Sequence, residues 1–147
     1  MNNLNSIRND WKLIESLIEQ NSKILDIGCG KGGLIEELEK NINVKARGIE
    51  INQELVGKAI SKGLNVVHGN AETDLNQYSD NSFSYVILSQ TLQAMFKPKD
   101  MLLELLRIGD KAIVSFPNFG HWKIRAQLLF TGKMPVNESL PYEWYNT

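Results

Sequence analysis

Residues Lys23 to Gly33 read K-I-L-D-I-G-C-G-K-G-G, and their order decides the fold. Ile24, Leu25 and Ile27 form a short apolar, β-favouring run around one carboxylate, Asp26, before four glycines at 28, 30, 32 and 33. An amphipathic stretch, Leu34 to Lys40, follows. This is the pattern of a buried strand, a tight turn and a helix start. Glycine lets a backbone take positive φ and lets a ligand lie against it. The amides of the next helix's first turn open into the same space. The stretch therefore predicts a ligand cradle.

Gly28, Gly30 and Gly33 satisfy G-x-G-x-x-G, and Glu50 follows Gly30 by 20 residues, so a dinucleotide is one reading. Asp26 argues for another. A pyrophosphate at a helix N-terminus needs donors and positive potential, whereas a ligand with an ammonium and a sulfonium centre tolerates a carboxylate there. S-adenosylmethionine has both and no phosphate. The run D-I-G-C-G-K-G resembles motif I of the class I S-adenosylmethionine-dependent methyltransferases.

Outward from the cradle, strands and helices alternate. Ile7, Trp11, Ile14 and Ile18, with Leu17 widening the stripe, predict an amphipathic helix over Asn5 to Glu19 that covers the sheet, with Trp11 as a core anchor. Strands are expected at Lys23–Ile27, Lys45–Ile49, Asn65–His68, Phe83–Leu88 and Lys111–Phe116. A helix from about Gly32 to Asn41 buries Leu34, Ile35 and Leu38. A second, capped by Asn52 and stopped at Gly63, turns Leu55, Val56, Ala59 and Ile60 inward. A short helical turn falls near Glu72–Gln77. Pro98 opens a helix that ends at Gly109 and buries Met101, Leu102, Leu105 and Leu106. The whole predicts an α/β fold with a doubly wound, mostly parallel sheet and right-handed crossovers.

The 147 residues suffice for one domain with one core, and 42% hydrophobic content is that of a globular chain. No apolar run reaches the ~20 residues of a membrane span, and the N-terminal residues carry no apolar signal core, so the reading is cytoplasmic. A lone cysteine, Cys29, rules out an internal disulfide; inside the turn it reads as a small filler rather than a nucleophile. The net charge of −1 shows no basic run of the kind nucleic-acid binding needs. From Lys111 onward, Lys111, Lys123, Arg125 and Lys133 face only Glu138 and Glu143, a mild excess that reads as a solvated face. No His, Cys and carboxylate spacing fits a metal.

A doubly wound sheet binds ligands beyond the carboxyl ends of its strands. The candidate cofactor residues are therefore Asp26, Gly28, Cys29, Gly30 and Gly33 after the first strand, and Glu50 and Ile51 after the second. Asn70 and Ala71 follow the third, and Ser89 and Gln90 the fourth. Glu50 can accept from both ribose hydroxyls; its alternative is a surface acid beside a helix start. Ile51 would cover an adenine face. Asn70 reads either as an adenine contact or as a loop cap. His68 reads as structural. No acid–base pair identifies a catalytic group; His121, in P-N-F-G-H-W, and Gln90 are the residues available, and a methyl displacement can proceed through orientation alone.

Three further segments narrow the resemblance. F-S-Y-V-I-L-S-Q-T-L-Q-A (Phe83 to Ala94), A-I-V-S-F-P-N-F-G-H-W-K-I-R (Ala112 to Arg125), and G-K-M-P-V (Gly132 to Val136) with L-P-Y-E-W-Y-N-T (Leu140 to Thr147) resemble the MetW family of methionine-biosynthesis proteins. The resemblance implies a class I methyltransferase fold, S-adenosylmethionine as cofactor with S-adenosylhomocysteine as product, and association with homoserine O-acyltransferase. It also implies a longer protein. The 31 residues after Phe116 show a helix near Trp122–Phe130 but no alternating strand pair, so the chain reads as one domain truncated at its C-terminus. Tyr142, Trp144 and Tyr145 read as an acceptor pocket, a protein contact or a terminus resting on the sheet.

Overall fold

The computed structural model describes residues 9–118 and 120–132. Residues 5–8 of the expected first helix, Phe119, and Lys133–Thr147 with Tyr142, Trp144 and Tyr145 lie outside the described residues. The elements run α1 (Asn9–Leu17), β1 (Lys23–Ile27), α2 (Gly33–Ile42), β2 (Lys45–Glu50), α3 (Gln53–Ile60) and β3 (Val66–His68). They continue with α4 (Ala71–Asp74), β4 (Phe83–Ser89), α5 (Pro98–Ile108), β5 (Gly109–Ser115) and α6 (Trp122–Thr131). The five strands form one sheet in the order β3-β2-β1-β4-β5, and every pair is parallel. The strand order reverses between β1 and β4, which puts the ligand crevice of such sheets at their carboxyl ends.

Period-two alternation along β1 divides the interior into two cores. Ile24 faces α1, α2 and α3 with Ile14, Ile35, Leu38, Val56 and Ala59. Leu25 and Ile27 face α5 with Leu75, Phe83, Met101, Leu105 and Ile108. Both faces of β4 are buried, which explains its near-continuous apolar sequence.

Helix ends follow local chemistry. Asn52 Oδ1 accepts from the backbone N–H groups of Glu54 and Leu55, as an N-cap should. At the other end of α3, Gly63 takes φ +83 and the Leu64 N–H returns to the Ala59 carbonyl. This turn corrects one expectation. Leu64 folds back onto Gly32 and takes the buried place, so Ile60 is left 55% exposed. In α5 the buried line is Met101, Leu105 and Ile108, while Leu102 and Leu106 stand one residue further round and face outward. Leu17 is likewise exposed, and the deep burial comes from Ile14 within α1 and Ile18 just past its end. Gly109, expected to terminate α5, does so and is also the first residue of β5.

Ile35 is fully buried and Ile60 is not. Urea denaturation should therefore show Ile35→Ala losing about 2–5 kcal/mol, against a change within ~0.5 kcal/mol for Ile60→Ala. Equal costs would contradict this packing.

Candidate functional site

The β1 turn is hydrogen-bonded to the end of β2. The Gly28 and Cys29 N–H groups both donate to the Ile49 carbonyl, at 2.8 and 3.3 Å. Gly28 has φ +70, and a Cβ there would lie 2.7 Å from Thr91 Oγ1; only glycine lets the turn press against the end of β4. Gly30, at φ +57, differs: nothing lies within 4 Å of the position a Cβ would take. Its backbone borders open space. Gly33 is tight for another reason, because the Trp11 ring lies 2.5 Å from where its Cβ would be.

Glu50 ends β2 and is 6% exposed. Its Oε2 accepts from the Gly30 N–H at 2.8 Å, and its Oε1 from the Asn52 N–H at 2.9 Å. Each oxygen keeps a second lone pair. The carboxylate is thus held by backbone groups and presented to a cavity of about 240 Å³. Gly28, Ile51, Asn70 and Ala71 line the same cavity, so five of the residues expected from the sequence meet there. Asn70 Oδ1 accepts from the Glu72 N–H, capping α4.

Other expected residues lie elsewhere. Asp26 is 2% exposed, on the same side of β1 as Ile24. Cys29 packs against the first core. Burial, reinforced by the nearby Asp26 and Glu50 carboxylates, pushes the Cys29 thiol well above its ordinary value. Ser89 and Gln90 stand at the end of β4, where Ser89 Oγ, Gln90 Nε2 and Ser115 Oγ each lie 3.3 Å from Asp10 Oδ2. Gln90 has φ +51, a strained conformation for a side-chain-bearing residue. It is anchored by its N–H on the Ser115 carbonyl and by Gln93 Nε2 on its own carbonyl. His121 is exposed just before α6, its ring stacked on Trp122 with centroids 6.2 Å apart. His68 Nε2 contacts the Ile51 carbonyl at 2.9 Å, a structural tie.

Sequence reasoning missed three contributors. Met95 and Phe96 line the cavity from the β4–α5 connection. That connection is fastened by Glu72 Oε1, which accepts from the Phe96 and Lys97 N–H groups at 2.7 and 3.0 Å. An apolar Met-Phe pair just before Pro98 was the available signal. Asp10 left none, because its contacts span some eighty residues or more.

Ile27, Ile49, Ile51, Ala71 and Met95 give the cavity apolar walls, and Glu50 sets an oriented acceptor among them. The sequence profile of the family described as Methionine biosynthesis protein MetW matches residues 8–147. The chain belongs to the MetW family. Within that family, the bifunctional methionine biosynthesis protein MetXA/MetW of Rhodopirellula baltica is 31% identical over 147 residues, covering 94% of this chain and 24% of that protein. The ubiquinone/menaquinone biosynthesis C-methyltransferase UbiE of Bdellovibrio bacteriovorus is 30% identical over 100 residues, 63% of this chain and 43% of that protein. This MetW-family chain therefore spans less than half the length of either relative. A TehB-like S-adenosylmethionine-dependent methyltransferase from Corynebacterium glutamicum superposes with a TM-score of 0.66 at 21% identity, over 92% of this chain and 85% of that one. The fold is that of the class I methyltransferases.

Because the Cys29 thiol ionises less readily when folded, its contribution to stability is complete below the ordinary value of 9.0 and declines as pH rises beyond it. Denaturation midpoints at pH 7 and pH 10 should show that loss, and Cys29→Ala should remove it. Iodoacetamide at pH 8 should label the folded protein at least about tenfold more slowly than the unfolded one, one pKa unit being tenfold in thiolate.

Proposed function

We propose that this chain binds S-adenosylmethionine, with the adenosine in the Glu50 cavity, and transfers its methyl group to a small molecule in methionine biosynthesis. The observation that carries the reading is the Glu50 carboxylate, buried, held by two backbone N–H groups and facing an apolar cavity beside the open flank of Gly30. In this reading Glu50 holds the ribose hydroxyls, and Ile51 and Ala71 contact the adenine. Asn70 directs its remaining amide donor at the base edge. Gly28, Gly30 and Gly33 shape the turn, with Asp26 and Cys29 as its backing. Ser89 and Gln90 stand on the acceptor side, and His121 is the nearest imidazole in sequence to the end of β5. When bound, the cofactor supplies an electrophilic methyl on a sulfonium. The protein's task is then orientation, since Glu50 and Glu72 already accept backbone N–H groups and a displacement needs no base in the cavity.

A second reading has its own support. The Rhodopirellula relative carries MetXA and MetW in one polypeptide, which favours a supporting role beside homoserine O-acyltransferase, with the cofactor cavity as a sensor.

Titration calorimetry with S-adenosylhomocysteine tests the shared site. Glu50→Ala should weaken binding by about 1–3 kcal/mol, roughly 5- to 150-fold, with circular dichroism checking the fold. Unchanged affinity would remove Glu50 from the ribose. Assaying homoserine acyltransferase with and without the full-length protein separates the two readings. Stimulation supports the second, and methyl transfer to an extract component without stimulation supports the first.

A further inference from the structure

Helices normally cover both faces of a parallel sheet, and its strands are correspondingly apolar. The amino-terminal end of this sheet departs from that rule. β2 reads K-A-R-G-I-E, with Lys45 and Arg47 exposed and Ala46 between them buried. Alternation puts Lys45 and Arg47 on the face that carries Ile49, and Lys23 on the same face as Leu25 and Ile27. The register sets Lys23 directly beside Lys45, and Leu25 beside Arg47. Like charges at paired positions destabilise a sheet. Three cations thus converge on one face at one end.

They line a groove of about 350 Å³, closed on its other side by Gln77 to Ser79 and by Ser82 and Phe83. No carboxylate is among its lining residues. The acids of the neighbouring loop and helix are engaged elsewhere: Arg107 pairs with Asp80 and Glu104, both at 2.7 Å. Arg107 also donates to the Leu75 and Tyr78 carbonyls, which fixes that wall. Among the described residues Lys23, Lys45 and Arg47 have no ion pair, and Lys23 Nζ lies 4.7 Å over the Phe83 ring. Ser82 adds a buried hydroxyl that makes no hydrogen bond, a condition that calls for an explanation in a native structure.

We propose that this groove binds a small molecule through a phosphate or pyrophosphate group. A guanidinium fork sharing one groove with two ammonium groups matches phosphate geometry and charge. Grouping them in a chain of net charge −1 concentrates positive potential at one place. The compact, concave shape favours a small anion over an extended acidic peptide. The groove lies at the opposite end of the strands from the Glu50 cavity, about 13 Å along β1, so both sites can be filled together. The proposal goes beyond the methyl-transfer reading and survives its failure.

The test is titration of the whole chain with sodium pyrophosphate and orthophosphate at low salt, followed by calorimetry and by thermal melting. Pyrophosphate should bind saturably, more tightly than orthophosphate, and should raise the melting temperature. Lys45→Gln with Arg47→Gln should weaken it about tenfold or more and abolish the thermal shift. The variant should melt no lower than the parent without ligand, because repulsion is relieved, and S-adenosylhomocysteine affinity should not change. Absence of saturable pyrophosphate binding at millimolar concentration overturns the proposal, as does binding that the double substitution leaves intact. Binding of a polyglutamate peptide without pyrophosphate binding also overturns it and makes the groove a protein contact.

Discussion

A carboxylate removed from water has to be held by donors, and here the donors are the backbone itself. Glu50 takes one N–H from the glycine turn after β1 and one from the first residues after β2. The interaction joins two consecutive strand ends and sets the direction in which α3 departs, with Asn52 serving both as donor to Glu50 and as cap of that helix. It also explains the shape of the turn. Gly28 has to lie against Thr91, and the Gly30 N–H has to reach Glu50 while its flank stays open. The elements of the site are therefore parts of one hydrogen-bonded unit. Charge-assisted bonds to backbone N–H groups are stronger than neutral ones, which keeps this unit ordered before any ligand arrives.

The remaining walls are fixed by the same means. Glu72 accepts two N–H groups from the β4–α5 connection and so brings Met95 and Phe96 over the cavity. Asp10 reaches from α1 to the ends of β4 and β5, where Gln90 keeps a left-handed backbone. Three carboxylates on three separate elements thus gather the strand ends, while the apolar cores beneath them hold the strands.

Local order explains what the sequence made legible. β1, α2, β2 and the cap at Asn52 follow from residues within a few positions of one another, and the topological rule then places Glu50, Ile51, Asn70 and Ala71 around one crevice. Helix faces were harder to read. Ile60 continues an apolar stripe, but the chain turns at Gly63 and gives the buried place to Leu64. In α5 a single ridge, Met101, Leu105 and Ile108, meets the sheet, and the leucines beside it have no wall to face. Asp10 was illegible because its position is set by partners distant in sequence, and no periodicity records such pairings.

Gly109 ends α5 and begins β5 with no residue in between. A strand that begins on the residue capping the preceding helix behaves as a rigid bell-crank: the rotation of α5 about its axis and the phase of β5 against β4 cannot be adjusted separately. Most connections in such a domain absorb an inserted or deleted residue as slack. Here a single-residue change in length would turn every side chain of β5 to the opposite face, exchanging Ile113 with its neighbours across the sheet. Evolutionary drift in chain length should accordingly be excluded from this junction and collect in the loops around it.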